Sequence, residues 1–338
     1  MIHGSTGDSN ILIGEGLENL QKYIASERVV IITDSNVRRL YGKEFPPCEV
    51  IEIGMGEKIK NLDTVKAIYG KLLELEIDRF SFIVGIGGGV VCDIAGFAAS
   101  TYMRGVPFGF ASSTLLSQVD ASVGGKNGVN FEGYKNMVGV FNQPEFVICD
   151  LNLLKTLPQE EVLCGLAEVV KHAAIGDSNL FAYLEEQAKK VLRLDQGVLE
   201  RAVYDSVLIK SGIVNRDEKE KGERRKLNFG HTLGHAIEKT TGAPHGEAVS
   251  AGMVVASALS ERKGYLSTEE KKRIEALLKK FQLPTRVQID GKRLLDAVRK
   301  DKKREGEEIH FVLLQGIGTA VVEKVSVNEL ETLIGEMI

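Results

Sequence analysis

Residues 228–247 read NFGHTLGHAIEKTTGAPHGE. His231 and His235 stand four apart, and His245 follows beside Glu247; these are three of the chain's 6 histidines. On a helix, a spacing of four puts His231 and His235 on one face. With a third histidine on the loop that follows, the stretch can make a three-histidine zinc site, or two metal ligands and a general base. It is not the HExxH of a zinc protease, because HTLGH lacks the glutamate. Buried histidines satisfied by backbone are the plain alternative, and spacing alone does not choose. Glu168 and Lys171 share a helix face in a second stretch, where a carboxylate could complete a metal site as a hard oxygen ligand.

A second group of residues suits a nucleotide. GIGGGVVCD follows an apolar run and opens a helix, and Gly85, Gly87, Gly88 and Gly89 let backbone approach a pyrophosphate. The spacing is not GxGxxG, and a strand–helix crossing that needs small residues is the competing reading. Asp34 ends the first clear strand, where a carboxylate could accept from a ribose hydroxyl. GEKIKN (56–61) and SST (112–114) end two others. Cations are scattered among small or polar neighbours: Lys126, Lys135, Lys171, Lys210, Arg224, Lys302 and Lys303. Singly each reads as surface charge, and DEKEKGERRK (217–226) reads as a solvated loop. Lys126 and Lys171 differ, because their glycine-rich or apolar neighbours point to a lined cavity. A dinucleotide, a metal and these cations together imply an anionic substrate that undergoes redox chemistry.

The elements that must position these groups alternate. GEGLENLQKYIAS has helical apolar spacing; RVVIITD and CEVIEIG are β-type runs; TVKAIYGKLLEL is helical; FSFIVGI, VPFGFA and EFVICDL are further strands. Continuous apolar strands between helices predict a doubly wound parallel sheet covered on both faces, a Rossmann-like α/β domain. After Pro158 strand-like runs nearly vanish until IHFVLL, and a mainly α-helical domain is expected. LPQEEVLCGLAEVVKHAAIG opens with Pro and Glu and closes on Gly176, and STEEKKRIEALLKKF carries a Ser267–Glu270 capping box. The expected domains are 1–157 and 158–338, in keeping with the two-domain prior for 338 residues.

A net charge of −4 excludes general polyanion binding, so an anionic substrate needs a local cation cluster. The four cysteines, Cys48, Cys92, Cys149 and Cys164, lack CxxC spacing and read as reduced thiols of a cytoplasmic protein. The start, MIHGSTGDSN, is unlike a signal peptide. Between Arg79 and Arg104 the only charge is Asp93. The run is long enough for a membrane span, but its β-type first half, glycine cluster and central carboxylate favour strand, tight loop and buried helix.

The blocks GGGVVCDIAGFAASTYMRG, TLLSQVDASVGGKNGVN, YKNMVGVFNQPEFVICD, TLPQEEVLCGLAEVVKH and LNFGHTLGHAIE…HGEAV closely resemble the 3-dehydroquinate synthase family, within the sugar phosphate cyclase superfamily. The match is dense from about 85 to 250, with DKK near 301 as a further landmark. The resemblance implies NAD in the first domain and a divalent metal, zinc or alternatively cobalt, in the cleft between domains. By motif it gives Glu168, His231 and His245 as metal ligands and leaves His235 as a hydrogen-bonding and proton-transfer group. Asp120, Lys171, Lys210 and Asn228 match residues that hold substrate hydroxyls or carboxylate. Lys126, Asn136, Arg224 and a lysine of DKK, with Lys303 preferred over Lys302, match phosphate and carboxylate binders. Arg104 matches an arginine that reaches the neighbouring subunit's phosphate site, so a homodimer is implied. For NAD the matching positions are Asp34, Asn36, Glu57 and Lys60; Gly88, Gly89 and Asp93; Ser113 and Thr114; Lys135 and Thr156, with Lys126 standing in this set too. Two departures are visible: Ser112–Ser113–Thr114 where the family has Pro-Thr-Thr, and Tyr134 where it has glycine.

The implied reaction converts 3-deoxy-D-arabino-heptulosonate 7-phosphate to 3-dehydroquinate and phosphate, in the shikimate route to aromatic amino acids. It proceeds by transient oxidation with NAD, phosphate elimination, re-reduction and ring closure. The alternatives are a cyclase acting on an amino analogue, an inosose- or valiolone-type synthase, a metal-dependent polyol dehydrogenase, and a non-enzymatic nucleotide-binding module. Retained Lys210, Arg224 and Asn228 favour a carboxylate substrate, and the SVGGKNGVN and YKN blocks argue against a neutral polyol. Neither nucleic acid nor membrane is an expected partner.

Overall fold

In the computed structural model of the protein, the apolar runs of the first half lie side by side as parallel strands. The structure describes residues 1–286, 294, 304–305 and 308–337. Lys302 and Lys303 lie outside the described residues. The chain divides into two compact units, Met1–Leu157 with Lys210–Glu218, and Pro158–Ile209 with Lys219–Ile338. A single cut was expected; Lys210–Glu218 instead belongs with the first unit.

The first unit runs β1 (Ile2–Gly4), β2 (Gly7–Ile13), β3 (Val29–Asp34), α1 (Ser35–Tyr41), β4 (Glu49–Ile53), α2 (Leu62–Glu74), β5 (Phe82–Gly87), α3 (Gly89–Thr101), β6 (Phe108–Ser112), β7 (Lys126–Phe131), β8 (Tyr134–Phe141) and β9 (Phe146–Cys149). Seven strands form one sheet in the order β1-β2-β9-β6-β5-β3-β4, parallel except for the β1–β2 pair. Along β3, Val30 and Ile32 enter one core and Ile31 the other, because successive strand residues face opposite ways. Val65, Ile68 and Leu72 of α2 and the apolar face of α3 close the first core; Leu17, Leu20 and Val37 close the second. Every residue of β5 is buried. Each fully buried Ile or Val there contributes roughly 1.5–3 kcal/mol over leaving it exposed. Because the central strands run the same way, Asp34, Gly87 and Ser112 end neighbouring strands on one edge of the sheet. That edge is where doubly wound sheets bind ligands.

The apolar run around Asp93 becomes β5 and α3, and no described helix is long and apolar enough to cross a membrane. One local expectation fails: GEGLENLQKYIAS forms only a seven-residue 3-10 turn, Leu17–Tyr23. The glycine-rich KNGVN and YKN blocks pair as the antiparallel β7–β8 hairpin.

In the second unit, α4 (Gln159–Gly176) starts after Pro158 with Glu160 and Glu161 in its first turn, and Asp177 caps the next helix, α5 (Ser178–Leu192). After α6 (Gln196–Arg216), whose residues from Lys210 on belong to the first unit, come α7 (His231–Thr241), α8 (His245–Arg262) and α9 (Thr268–Lys280), the last opened by the Ser267–Glu270 capping box. An antiparallel sheet of β10 (Arg304–Glu305), β11 (Glu308–Leu314) and β12 (Ala320–Ser326) follows, and a helix at Val327–Met337.

Candidate active site

Three helices of the second unit converge because glycines remove the side chains between them. A Cβ on Gly246, the second residue of α8, would stand 2.5 Å from Cys164 Cα of α4. One on Gly252 would stand 2.0 Å from Gly230 O, just before α7, and one on Gly234 3.1 Å from Val249 Cα. Gly230 itself has φ +78, a left-handed turn that glycine adopts without strain. This close packing brings together Glu168 of α4, His231 of α7 and His245 at the start of α8. Their candidate ligand atoms all lie within 4.8 Å of one another.

The carboxylate divides its two oxygens. Glu168 Oε1 stands 3.5 Å from His231 Nε2 and 3.3 Å from His245 Nε2. Glu168 Oε2 is ion-paired with Lys171 Nζ, one helical turn on, and both side chains are buried. His231 Nδ1 faces the carbonyl of Phe229 at 3.2 Å, which turns Nε2 toward the carboxylate. Burial holds the His231 imidazole well below its ordinary pKa, against the pull of Glu168, so it carries a free lone pair. Burial pulls the same way on His245, but Glu168 and Glu238 outweigh it and push that ring up to about 9. A divalent ion has to displace that proton, as metal binding to histidine generally does. One carboxylate and two imidazoles from three rigid helices are a donor set that suits zinc, with room for exchangeable ligands. His235 is exposed beside this group, its ring 5.3 Å centroid to centroid from His231 and 6.5 Å from His245.

The close approach of α7 and α8 gives a testable consequence. Gly252→Ala should cost about 1–3 kcal/mol by overpacking, lowering the melting temperature and loosening metal retention together. Gly70→Ala, at an exposed position of α2 with nothing within 4 Å of its Cβ, should instead stabilise by about 0.5–1 kcal/mol. Calorimetry of both variants checks the contrast in sign.

In the same unit, Arg224 is 2% exposed, within a 3-10 turn at Glu223–Asn228, so the stretch read as a solvated loop buries its guanidinium. Asn228 Nδ2 donates to Glu220 Oε1 at 2.6 Å.

The first unit holds the remaining candidates. Lys210 Nζ donates to the carbonyl of Asp120 at 2.5 Å and is ion-paired with its carboxylate. Buried Lys60 is ion-paired with Asp93, and burial pushes the Asp93 carboxyl up while Lys60 pulls against it. Lys60 Nζ also donates to Asn136 Oδ1 at 2.6 Å, and Asn130 Nδ2 donates to Glu57 Oε1 at 2.8 Å. Asn136, matched to substrate, therefore sits beside residues matched to NAD. Asp34 caps α1, with Oδ1 accepting from the backbone of Asn36 and Val37 at 2.9 Å each. Thr156 Oγ1 pairs with the Tyr41 hydroxyl at 2.6 Å. At Gly88 a Cβ would come within 2.9 Å of the Thr114 methyl, and no side chain caps the start of α3. That bare, narrow turn between Gly88–Gly89 and Ser113–Thr114 fits a dinucleotide's phosphates. Lys126, Lys135 and Arg104 are exposed. Arg104 and Met103 have φ +67 and +51, strained for residues with side chains.

Glu238 is the residue that sequence reasoning passed over. Its position seven after His231 was a readable signal, since seven residues make about two helical turns and return to the same face.

A family model for the 3-dehydroquinate synthase N-terminal domain matches residues 50–164, and one for the C-terminal domain matches 165–304. A 3-dehydroquinate synthase of Dehalococcoides mccartyi is 42% identical over 322 residues, covering 92% of this chain and 90% of the relative. Among solved structures, a 2-epi-5-epi-valiolone synthase of Streptomyces hygroscopicus subsp. jinggangensis, with NAD+ and Zn2+ bound, aligns with TM-score 0.89 at 27% identity, over 100% of this chain and 99% of that one. A 2-deoxy-scyllo-inosose synthase complexed with carbaglucose-6-phosphate, NAD+ and Co2+ aligns with TM-score 0.84 at 25% identity, over 96% of each chain.

Proposed function

The chain belongs to the 3-dehydroquinate synthase family, and from that premise we propose that it converts 3-deoxy-D-arabino-heptulosonate 7-phosphate to 3-dehydroquinate and phosphate. It is a phosphate-eliminating carbon–oxygen lyase of the shikimate route, using NAD and a divalent metal ion. The observation that carries this reading is the convergence of Glu168, His231 and His245 on one point. These three would hold the ion, and the strand-edge residues Asp34, Glu57, Lys60, Gly88, Gly89, Asp93, Ser113 and Thr114 would hold NAD, joined by Asn36, Lys135 and Thr156.

Bound NAD would take and return a hydride while the bound cation polarises the oxygen concerned, so that the C–H beside the transient ketone becomes acidic enough for phosphate to leave. The chain's own part is positioning, charge and proton movement. Lys171 neutralises one oxygen of Glu168 and leaves the other for the ion. Exposed His235, beside His231, is the group best placed to pass a proton to or from substrate. Lys210 fixes the Asp120 carboxylate in one position, a preorganised acceptor for a substrate hydroxyl. Buried Arg224 attracts an anion more strongly than a solvated arginine would. With Asn228, Lys126, Asn136 and Lys303 it is assigned to the carboxylate and phosphate ends. A carboxylate substrate is preferred to a neutral sugar phosphate on these groups, and to a polyol on the same ground. A homodimer, with exposed Arg104 reaching the neighbouring subunit's phosphate site, and a cytoplasmic location, in keeping with four free thiols, complete the proposal.

Purified protein given NAD, zinc and the keto acid phosphate should release one phosphate per turnover with no net NADH. NADH rising in step with product would establish a simple dehydrogenase instead.

A further inference from the structure

The last turn of α7 carries a carboxylate with a specific neighbour. Glu238 lies three residues after His235 and seven after His231, so all three line one helix face. An anion near a helix C-terminus is disfavoured by the helix dipole, and this side chain is only 17% exposed. Its Oε2 approaches His245 Nδ1 at 3.6 Å, across the short connection to α8. The other nitrogen of the same ring, Nε2, faces Glu168 Oε1 at 3.3 Å. A carboxylate oxygen therefore stands near each ring nitrogen of His245, closer at Nε2 than at Nδ1. His231 is arranged in parallel, but its Nδ1 faces a neutral backbone carbonyl, that of Phe229 at 3.2 Å.

We propose that Glu238 is a positioning residue for the metal: it accepts from the Nδ1–H of His245 and so aims the Nε2 lone pair at the point shared with Glu168 and His231. The inference deepens the metal site proposed above and rests on it. Two consequences follow from the chemistry. A carboxylate partner fixes the tautomer that leaves Nε2 unprotonated, and it makes the ring a stronger donor than a carbonyl partner does. Since the partner of His231 is backbone, Glu238 is the side chain through which affinity at this pair of imidazoles can be tuned by substitution. A structural reading competes. The start of α8 has Pro244 as its N-cap, with no side-chain cap, and a nearby carboxylate could serve that helix end alone.

The test uses the full chain, stripped of metal, with zinc affinity measured by competition against a chromophoric chelator. Glu238→Ala should weaken zinc binding by about 10–100-fold, the range for loss of an outer partner to a metal-bound histidine. Glu238→Gln keeps an acceptor without the charge and should fall between the parent and Glu238→Ala. Cobalt loaded in place of zinc should show a shifted visible absorption band in Glu238→Gln, because the donor strength of His245 has changed. Zinc affinity within about twofold of the parent in Glu238→Gln, with an unmoved cobalt spectrum, overturns the proposal, whatever happens to the melting of the metal-free protein. Should Glu238→Ala fail to fold, the near-isosteric Glu238→Gln decides alone. A parent protein that binds neither ion would sink the metal reading itself, and this inference with it.

Discussion

His245→Ala is expected to lose bound zinc and turnover together. The variant keeps Glu168 and His231, which leaves two donors where a stable protein zinc site has three or four. Zinc affinity should fall by more than the 10–100-fold typical of losing only an outer partner. Turnover at saturating NAD and substrate should fall by roughly 10²–10³-fold, as when a preorganised charge-stabilising group is removed. The fold should survive, since His245 stands at the partly exposed first position of α8 and not in the core. Metal content by elemental analysis, circular dichroism and phosphate release read the three effects separately. Full metal occupancy in the variant would remove His245 from the ligand set.

Lys171→Met should act on stability as well as on rate, and the metal should separate the two. Glu168 and Lys171 have side-chain exposures of 0% and 1%. Removing one member of a buried ion pair costs about 3–5 kcal/mol, because the remaining charge is left without that compensation. The metal-free variant should therefore melt well below the metal-free parent. A divalent cation at Glu168 supplies compensating charge, and the ammonium that repels it is gone. Zinc at about 1,000 times its dissociation constant adds about 4 kcal/mol of stability by mass action, comparable to the loss. Zinc should thus raise the melting temperature more in Lys171→Met than in the parent. Turnover should stay low even when zinc has restored stability, by roughly 10²–10⁴-fold if Lys171 handles a proton. Equal zinc-induced shifts in the two proteins would show that Lys171 and the metal do not share Glu168.

Features governed by neighbours along the chain are legible in the residues themselves. The end of α4 at Gly176, the Ser267–Glu270 capping box of α9 and the termination of β3 at Asp34 are set by local chemistry: caps, chain reversals and apolar period. The sheet is legible for the same reason, since β3, β5 and β9 are short apolar runs that only a doubly covered sheet buries. The β7–β8 hairpin is not, because its many glycines and exposed positions lack the alternation that marks a strand. Leu17–Tyr23 has helical spacing, yet it forms only a 3-10 turn. Arg224 looks solvated because its sequence neighbours are charged, whereas its burial depends on residues distant in the chain.

For the site, the residue types and their order are enough to propose a metal, a dinucleotide and an anionic substrate, and family resemblance attaches roles to positions. The amino-acid order therefore specifies an inventory of donors on particular helix faces. Which lone pairs meet is settled by packing between helices. Spacing along α7 treats His231 and His235 alike, but ring direction is fixed by what each Nδ1 faces and by how near the helices come. The carbonyl of Phe229 faces His231 Nδ1, a Glu238 oxygen lies 3.6 Å from His245 Nδ1, both Nε2 atoms face Glu168, and glycines at 234, 246 and 252 allow the backbones close enough for the atoms to converge. Those are contacts between residues up to 77 positions apart, and no local periodicity encodes them.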